Sequence, residues 1–188
     1  MTAVGEPGTK EVLSLDELEA AGNLRTGRRH VLSILVENKP GVLTRITGLF
    51  ARRGFNIDTL AVGPTDDEAI SRITLTLDGA LHPIDQVTKQ LHKLVNVLKI
   101  RDLEPEEALA RELALFKVSA DGANRAEITQ ICEIFRAKIV DVTRRSLVIE
   151  VTGTEDKIEA FEGLVRPFGL VEMARTGEIA IARGRGET

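Results

Sequence analysis

The sequence predicts an α+β protein made of two ferredoxin-like βαββαβ domains. Between residues 30 and 104 the predicted elements follow the order β-α-β-β-α-β, which defines the split βαβ unit. The same order returns from about residue 113, and 188 residues are enough to give two small domains a core each. We therefore divide the chain into an N-terminal extension at 1–28, a first domain at 29–104 and a second domain at 105–188.

The first predicted domain opens with HVLSILVE, a strand that is apolar on both faces and is therefore expected to be central. Alternation along ISRITLTLD predicts that three apolar residues face inward and three polar ones outward: Ile73, Leu75 and Leu77, against Arg72, Thr74 and Thr76. Such a unit leaves one sheet face that needs a cover. The other predicted elements are a helix over 42–53 that Gly54 ends, strands over 55–65 and 97–103, and a helix from Pro83 whose apolar side reaches Val95.

Residues 104–112 are charged and are predicted to link the two domains. In the second domain, an apolar stripe predicts a helix over 124–137: Ile128, Ile131, Cys132 and Phe135. In the extension, which is predicted to be flexible, Ser14 and Glu17 form a capping box that predicts one short helix. The remaining predicted elements are strands over 113–120, 138–142, 146–151 and 170–176, an edge strand over 178–183, and a helix over 154–168 capped by Thr154.

The composition argues against several classes of function. A net charge of −4 gives no general attraction to nucleic acid or anionic membranes, and 3% aromatic residues offer few platforms for stacking bases. The single cysteine cannot form an intrachain disulfide, and no apolar run approaches the roughly 20 residues that span a bilayer. Because the first residues are acidic and resemble neither a signal nor a transit peptide, the expected location is the cytoplasm.

No catalytic constellation or metal site is predicted. The sequence has no P-loop, no dinucleotide fingerprint, no H-E-x-x-H and no paired cysteines. His30, His82 and His92 are scattered, without a second ligand at helical spacing. Cys132 lies on an apolar stripe, which favours core packing, and the carboxylates at 66–68 are typical of a solvated turn.

The stretch ENKPGVL, at the start of the first predicted helix, has two interpretations. In one, Asn38 to Gly41 are a turn that joins a strand to a helix. In the other, the unpaired first amides of the helix bind an anion, because they carry the positive end of the helix dipole. A carboxylate would then lie on the amides of Gly41 to Leu43, with Asn38 and Asn56 near the ammonium of an aliphatic amino acid.

The stretch ILVENKPGVLTRITGLFARRGFNIDTLAVGPTDDEAISRITL strongly resembles the amino-acid-binding ACT domain of the small, regulatory subunit of acetolactate synthase (acetohydroxyacid synthase). The later segments KQLHKLVNVLKIRDL, EIFRAKIVDVT and AFEGLVRPFGLVEMARTG resemble the same family, so that the likeness covers roughly residues 29 to 184. E-N-x-P-G-V-L alone would indicate only some ACT domain. Its combination with R-G-F-N-I and P-T-D-D is far more specific.

The resemblance implies a homodimer joined edge to edge through its ACT domains, with the feedback effector valine, or a related branched-chain amino acid, bound at the interface. It implies no catalysis by this chain. The expected partner is the large catalytic subunit, which holds thiamine diphosphate, FAD and Mg²⁺ and condenses two pyruvates, or pyruvate with 2-oxobutyrate. The implied effector residues are Asn38, Gly41, Val42 and Leu43 in the loop, Asn56 and Ile57 from the other copy, and, with less support, Lys39 and Pro40.

The alternative is a free-standing ACT-domain sensor of another amino acid, with a different partner. The second domain argues against this alternative, because a simple sensor has no evident need of it. An enzyme built on a ferredoxin-like fold would require a catalytic constellation, and the sequence offers none.

Overall fold

The computed structural model describes residues 29–78, 83–104 and 107–184. The predicted extension at 1–28, with its capping box, and His82 lie outside the described residues. The first unit has the predicted order of elements. In chain order these are β1 (Arg29–Glu37), α1 (Val42–Arg53), β2 (Thr59–Pro64), β3 (Ile70–Asp78), α2 (Ile84–Leu91) and β4 (Val97–Leu103).

The strands of this unit form an antiparallel sheet in the order β2-β3-β1-β4, so β1 is central as its two apolar faces predicted. Both helices cover one face of the sheet, because each presents an apolar stripe at helical spacing. The resulting core contains Val42, Ile46, Leu49 and Phe50 of α1, Val87 and Leu91 of α2, and Leu32, Ile34, Val36, Ile73, Leu75 and Leu77 of the central strands.

The strand predicted at 55–65 begins only at Thr59, so that part of the prediction was wrong. Gly54 ends α1 as predicted, with φ 69°, and the Phe55 N–H donates to the Phe50 carbonyl at 3.0 Å. This contact belongs to a Schellman-type helix end. Phe55 and Ile57 then pack against the first core, which keeps this segment out of the sheet.

The second helix is also shorter than predicted. It ends at Leu91, and Val95 is 92% exposed instead of lying on the apolar side. Tight backbone bonds, such as the Leu94 N–H to the Leu91 carbonyl at 3.0 Å, close the chain into turns. These turns bring Val97 into position to start β4.

The second unit repeats the topology, with the predicted hairpin and helices. The elements are β5 (Ala108–Ser119), α3 (Arg125–Phe135), β6 (Lys138–Val142), β7 (Ser146–Gly153), α4 (Glu155–Val165), β8 (Leu170–Arg175) and β9 (Ile179–Ala182). The sheet has the order β6-β7-β5-β8, and the core of this unit shares no residue with the first one. Residues 166–168, which were predicted to continue the last helix, form a 3-10 turn containing Pro167, and Thr154 starts that helix without a side-chain cap.

The predicted linker at 104–112 was wrong, because residues from Ala108 onward belong to β5. The first part of β5 pairs with β9, the predicted edge strand, and forms a two-stranded ribbon. Small side chains on the inner side of this ribbon pack against Leu103 and Val31 of the first sheet: Ala108, Ala110, Ala180 and Ala182.

The second unit covers the open face of the first sheet. For this reason Thr74 and Thr76, which were predicted to face outward, are only 2% and 0% exposed. Alternation along β3 is real, but both faces of the strand are buried. Within the described residues, no helix is long and apolar enough to cross a membrane.

Candidate functional site

The start of α1 is an open, glycine-headed helix terminus. Gly41 precedes the helix with φ 83° and ψ −7°, and a Cβ built on it would meet no atom within 4 Å. The Val42 N–H makes a 3.3 Å bond to the Lys39 carbonyl. Among the described residues, the amides of Gly41, Leu43 and Thr44 have no acceptor, so three donors remain at the positive end of the helix.

Asn38 lies beside this helix start, exposed, at the end of β1. Its Nδ2 donates to the Glu68 carbonyl at 2.9 Å, and its N–H donates to the Ala69 carbonyl at 2.7 Å. The side-chain donor expected at the mouth of the site is therefore engaged within the chain. The Oδ1 atom, which accepts no hydrogen bond from the described part of the chain, is the group of Asn38 that could receive a ligand's ammonium.

A polar network that sequence reasoning missed surrounds the same loop. Lys39 Nζ is 3.1 Å from Glu37 Oε1, Asn96 Nδ2 donates to Glu37 Oε2, and Arg45 Nη1 donates to Asn96 Oδ1 at 2.9 Å. The hydrogen bond from Asn96, helped by Lys39, holds the pKa of Glu37 below its usual value. Lys39 is thus paired with a carboxylate, which leaves the backbone amides as the main anion-binding groups of the loop.

Asn56 and Ile57 lie in the segment between α1 and β2, not in a strand as predicted. Asn56 is exposed and its Nδ2 donates to Asp58 Oδ1 at 3.2 Å, while Ile57 packs partly against the first core. Strands β1 and β2 are both antiparallel to β3, so they run in the same direction. Asn38 follows the end of β1 and Asn56 precedes the start of β2, so one chain holds them at opposite ends of its sheet.

The length of α1 indicates how far apart Asn38 and Asn56 lie. The helix has 12 residues, and at 1.5 Å per residue a helix of that length spans about 18 Å. A free amino acid is too small to touch both ends. One copy of the chain therefore does not bring together the two predicted halves of the effector site.

The structure assigns structural roles to Cys132 and His30. Burial raises the pKa of the Cys132 thiol to about 11, which agrees with a core residue and not with a nucleophile. His30 Nδ1 lies 2.8 Å from Asp102 Oδ2 on the neighbouring strand. In the ranges that the structure describes, no group of three or more His, Cys, Asp or Glu side chains is arranged to hold a metal ion.

A polar cleft of about 850 Å³ lies between the two units. Arg29, Thr59 and Leu60 line it from the first sheet, and Arg175 and Thr176 line it from the second. Arg175 makes two short bonds to the buried Glu112, from Nε to Oε1 at 2.6 Å and from Nη2 to Oε2 at 2.7 Å. No motif in the sequence indicated this cleft, since the paired residues are far apart along the chain.

Glu178, which follows β8, should make the stability of the chain depend on pH. Burial raises its pKa, and Arg29 only partly opposes this effect. A raised folded pKa means that the folded state binds the proton more tightly. We therefore expect wild-type stability, relative to Glu178→Gln, to fall as the pH rises from about 4.5 towards neutrality. The other charged groups that act on Glu178 are Glu112, Arg175 and Asp156.

Urea unfolding of both chains, followed by circular dichroism across this pH range, measures the difference. Glu133→Gln, an exposed change of the same charge in α3, is the matched control. A stability difference between wild type and Glu178→Gln that does not vary with pH would contradict the prediction.

The fold and the open helix terminus define the class of protein: a two-domain chain whose first domain is an ACT domain. The family model described as "AHAS small subunit-like ACT domain" matches residues 32–99, and the model described as "Small subunit of acetolactate synthase" matches residues 111–184. Together these matches extend over both structural units.

Individual relatives agree. The chain is 49% identical over 155 residues to the acetolactate synthase small subunit of Mycolicibacterium smegmatis, covering 82% of this chain and 91% of that protein. It is 49% identical over 156 residues to the probable acetolactate synthase small subunit of Archaeoglobus fulgidus, covering 83% and 98%. The crystal structure of the Thermotoga maritima small subunit superposes with a TM-score of 0.78 at 43% identity, covering 85% and 99%. The chain belongs to the acetolactate synthase small-subunit family.

Proposed function

We propose that this chain is the non-catalytic regulatory subunit of acetolactate synthase, which activates the large catalytic subunit and makes it subject to feedback inhibition by valine. Leucine and isoleucine are the related effectors. Thiamine diphosphate, FAD and Mg²⁺ would be held by the catalytic partner, which carries out the carbon–carbon bond formation of branched-chain amino-acid biosynthesis. The observation that carries the proposal is the unblocked helix terminus at Gly41, in a chain of this family.

The geometry suits an α-amino acid. Its carboxylate would accept hydrogen bonds from the free amides of Gly41 and Leu43, where the helix dipole favours a negative charge. Its ammonium would donate to Asn38 Oδ1, which has no donor within the described chain. Leu43, 40% exposed, offers an apolar surface to an aliphatic side chain. A polar side chain would gain nothing from that contact and would lose water.

A second copy of the chain would complete the site. Because Asn56 and Ile57 lie at the other end of the sheet from Asn38, they reach a ligand there only from another molecule. Strand β2 is at the edge of its sheet, no other strand of the described residues pairs with its outer side, and Val62 within it is exposed. An edge strand of this kind is suited to pairing with its own copy. We therefore propose a homodimer joined through the ACT domains.

Calorimetric titration of the purified chain with valine, leucine, isoleucine and serine tests the proposal. We expect saturable binding of valine and no heat from serine. Adding the large thiamine-dependent subunit should then raise turnover, and valine should lower it. If the chain binds no valine and leaves the turnover of the catalytic subunit unchanged, the proposal is wrong. Co-purification with an unrelated protein in place of that subunit would favour the free-standing sensor.

A further inference from the structure

The second domain touches the first at the start of β2. Gly177 lies in the turn between β8 and β9 with φ 77°, in the left-handed region. A Cβ built on it would lie 3.3 Å from Thr59 Cβ and 3.5 Å from the Leu60 nitrogen. The absence of a side chain at Gly177 therefore allows the backbone of this turn to pack directly on the first two residues of β2.

The buried hydroxyl of Thr76 in β3 is hydrogen-bonded both to the start of β2 and to the first residue of β1. Thr76, which is 0% exposed, accepts from the Thr59 N–H at 3.0 Å and from Arg29 Nη2 at 3.3 Å. Its Oγ1 is also 2.7 Å from Thr59 Oγ1. A hydroxyl has one proton and two acceptor sites, so Thr76 donates its proton to Thr59. All three hydrogen-bonding positions of Thr76 are used, and Thr59 cannot move without breaking one of these bonds.

Arg29 carries the connection into the second domain. Its guanidinium pairs with Glu155, the first residue of α4, and its Nη2 lies 3.7 Å from Glu178 Oε2. The Glu178 side chain is only 9% exposed, so water and salt screen this interaction less than a surface pair. Glu178 directly follows Gly177. The ion pair between Arg29 and Glu178 and the packing of Gly177 against Thr59 therefore both involve the same turn of the second domain.

We infer that Thr59, Thr76 and Arg29, together with the turn at Gly177, couple the effector site to the second domain. The inference rests on the proposed function, since it takes Asn56 and Ile57, just before Thr59, as effector contacts. The Asp58 N–H also donates to the Thr76 carbonyl at 3.0 Å. The residue between these proposed effector contacts and Thr59 is therefore hydrogen-bonded to β3. A ligand that displaces residues 56–58 must change the Thr76 bonds, and it shifts the domain arrangement by its differential affinity for the two states.

Thr76→Val tests the inference, because it removes the hydroxyl and keeps the shape of the side chain. Thr74→Val is the matched control: Thr74 is on the same face of β3, is 2% exposed, and makes no side-chain hydrogen bond within the described chain. Each variant is combined with the catalytic subunit. For Thr76→Val we expect calorimetry to show saturable binding of valine but the maximal inhibition to be about fivefold weaker, while Thr74→Val behaves as wild type.

Wild-type inhibition of the Thr76→Val holoenzyme would overturn the inference and leave the proposed function standing. Failure of the wild-type chain itself to bind valine would overturn both. Arg29→Gln is a second variant, and it changes a side chain that is not fully buried, since the Arg29 side chain is 28% exposed. It should show the same loss of inhibition. The Thr76→Val/Arg29→Gln double variant should lose no more inhibition than the more affected single one, and full additivity would contradict a shared route.

Discussion

Gly41→Asp is expected to lower the affinity of the chain for valine at least about tenfold, a loss of about 1.4 kcal/mol. The new carboxylate would lie beside the amides of Gly41 and Leu43, where the carboxylate of the ligand belongs. Two like charges 4 Å apart near a protein surface repel each other by about 4 kcal/mol. About one third of that repulsion accounts for the expected loss of affinity. Calorimetric titration with valine measures the loss.

The structure makes this variant interpretable. Gly41 has φ 83°, and no atom lies within 4 Å of a built Cβ, so an added side chain causes strain but no clash. Asp and Asn tolerate the left-handed region better than other residues. Gly41→Asn is therefore the matched control, with the same backbone strain and no charge, and it should retain more affinity than Gly41→Asp. Unchanged affinity in Gly41→Asp would show that the effector binds elsewhere.

Phe161→Ala is expected to destabilise the second domain by about 3–5 kcal/mol. Phe161 is 0% exposed, and its ring centre lies 5.2 Å from that of Phe116 and 5.5 Å from that of Phe135. Removing it opens a cavity at the centre of the second core and breaks both aromatic contacts. Because this core shares no residue with the first, we expect the first domain to keep most of its own stability.

The chain has no Trp and no Tyr, so hydrogen exchange followed by mass spectrometry is the suitable measurement. Phe161→Ala should accelerate exchange in peptides of α3, α4 and β7 much more than in β1 and β3. Phe50→Ala, a 2% exposed residue of the first core, is the matched control and should give the opposite pattern. Equal acceleration in both units would mean that the two cores unfold together, contrary to the prediction.

The predicted helices and core stripes largely matched the structure, because burial of one helix face is encoded at a local spacing of 3.6 residues. Helix α1 and its glycine end were predicted correctly for this reason. The errors lie where long-range contacts override local pattern. Phe55 closes the end of a helix although its neighbours resemble a strand, and Ala108 joins a long strand because β9 offers a pairing partner there.

The candidate site was only partly predictable. Local sequence indicated the open helix start, since a glycine before an apolar stripe is a local signal. The local sequence could not show that Asn38 Nδ2 donates to the Glu68 carbonyl, 30 residues away. Asn96, which holds Glu37 from a distance of 59 residues, carried no signal in the sequence at all.

The sequence by itself determined the class of fold, the order of its elements and the helix terminus at Gly41, because periodicity and glycine placement act within a few residues. Only the tertiary structure decided that β5 and β9 cover the open sheet face, that Asn38 and Asn56 lie at opposite ends of one sheet, and that Thr76 bonds both Thr59 and Arg29. The physical reason is that strand pairing and side-chain hydrogen bonds join distant residues, and no local pattern specifies which partners meet.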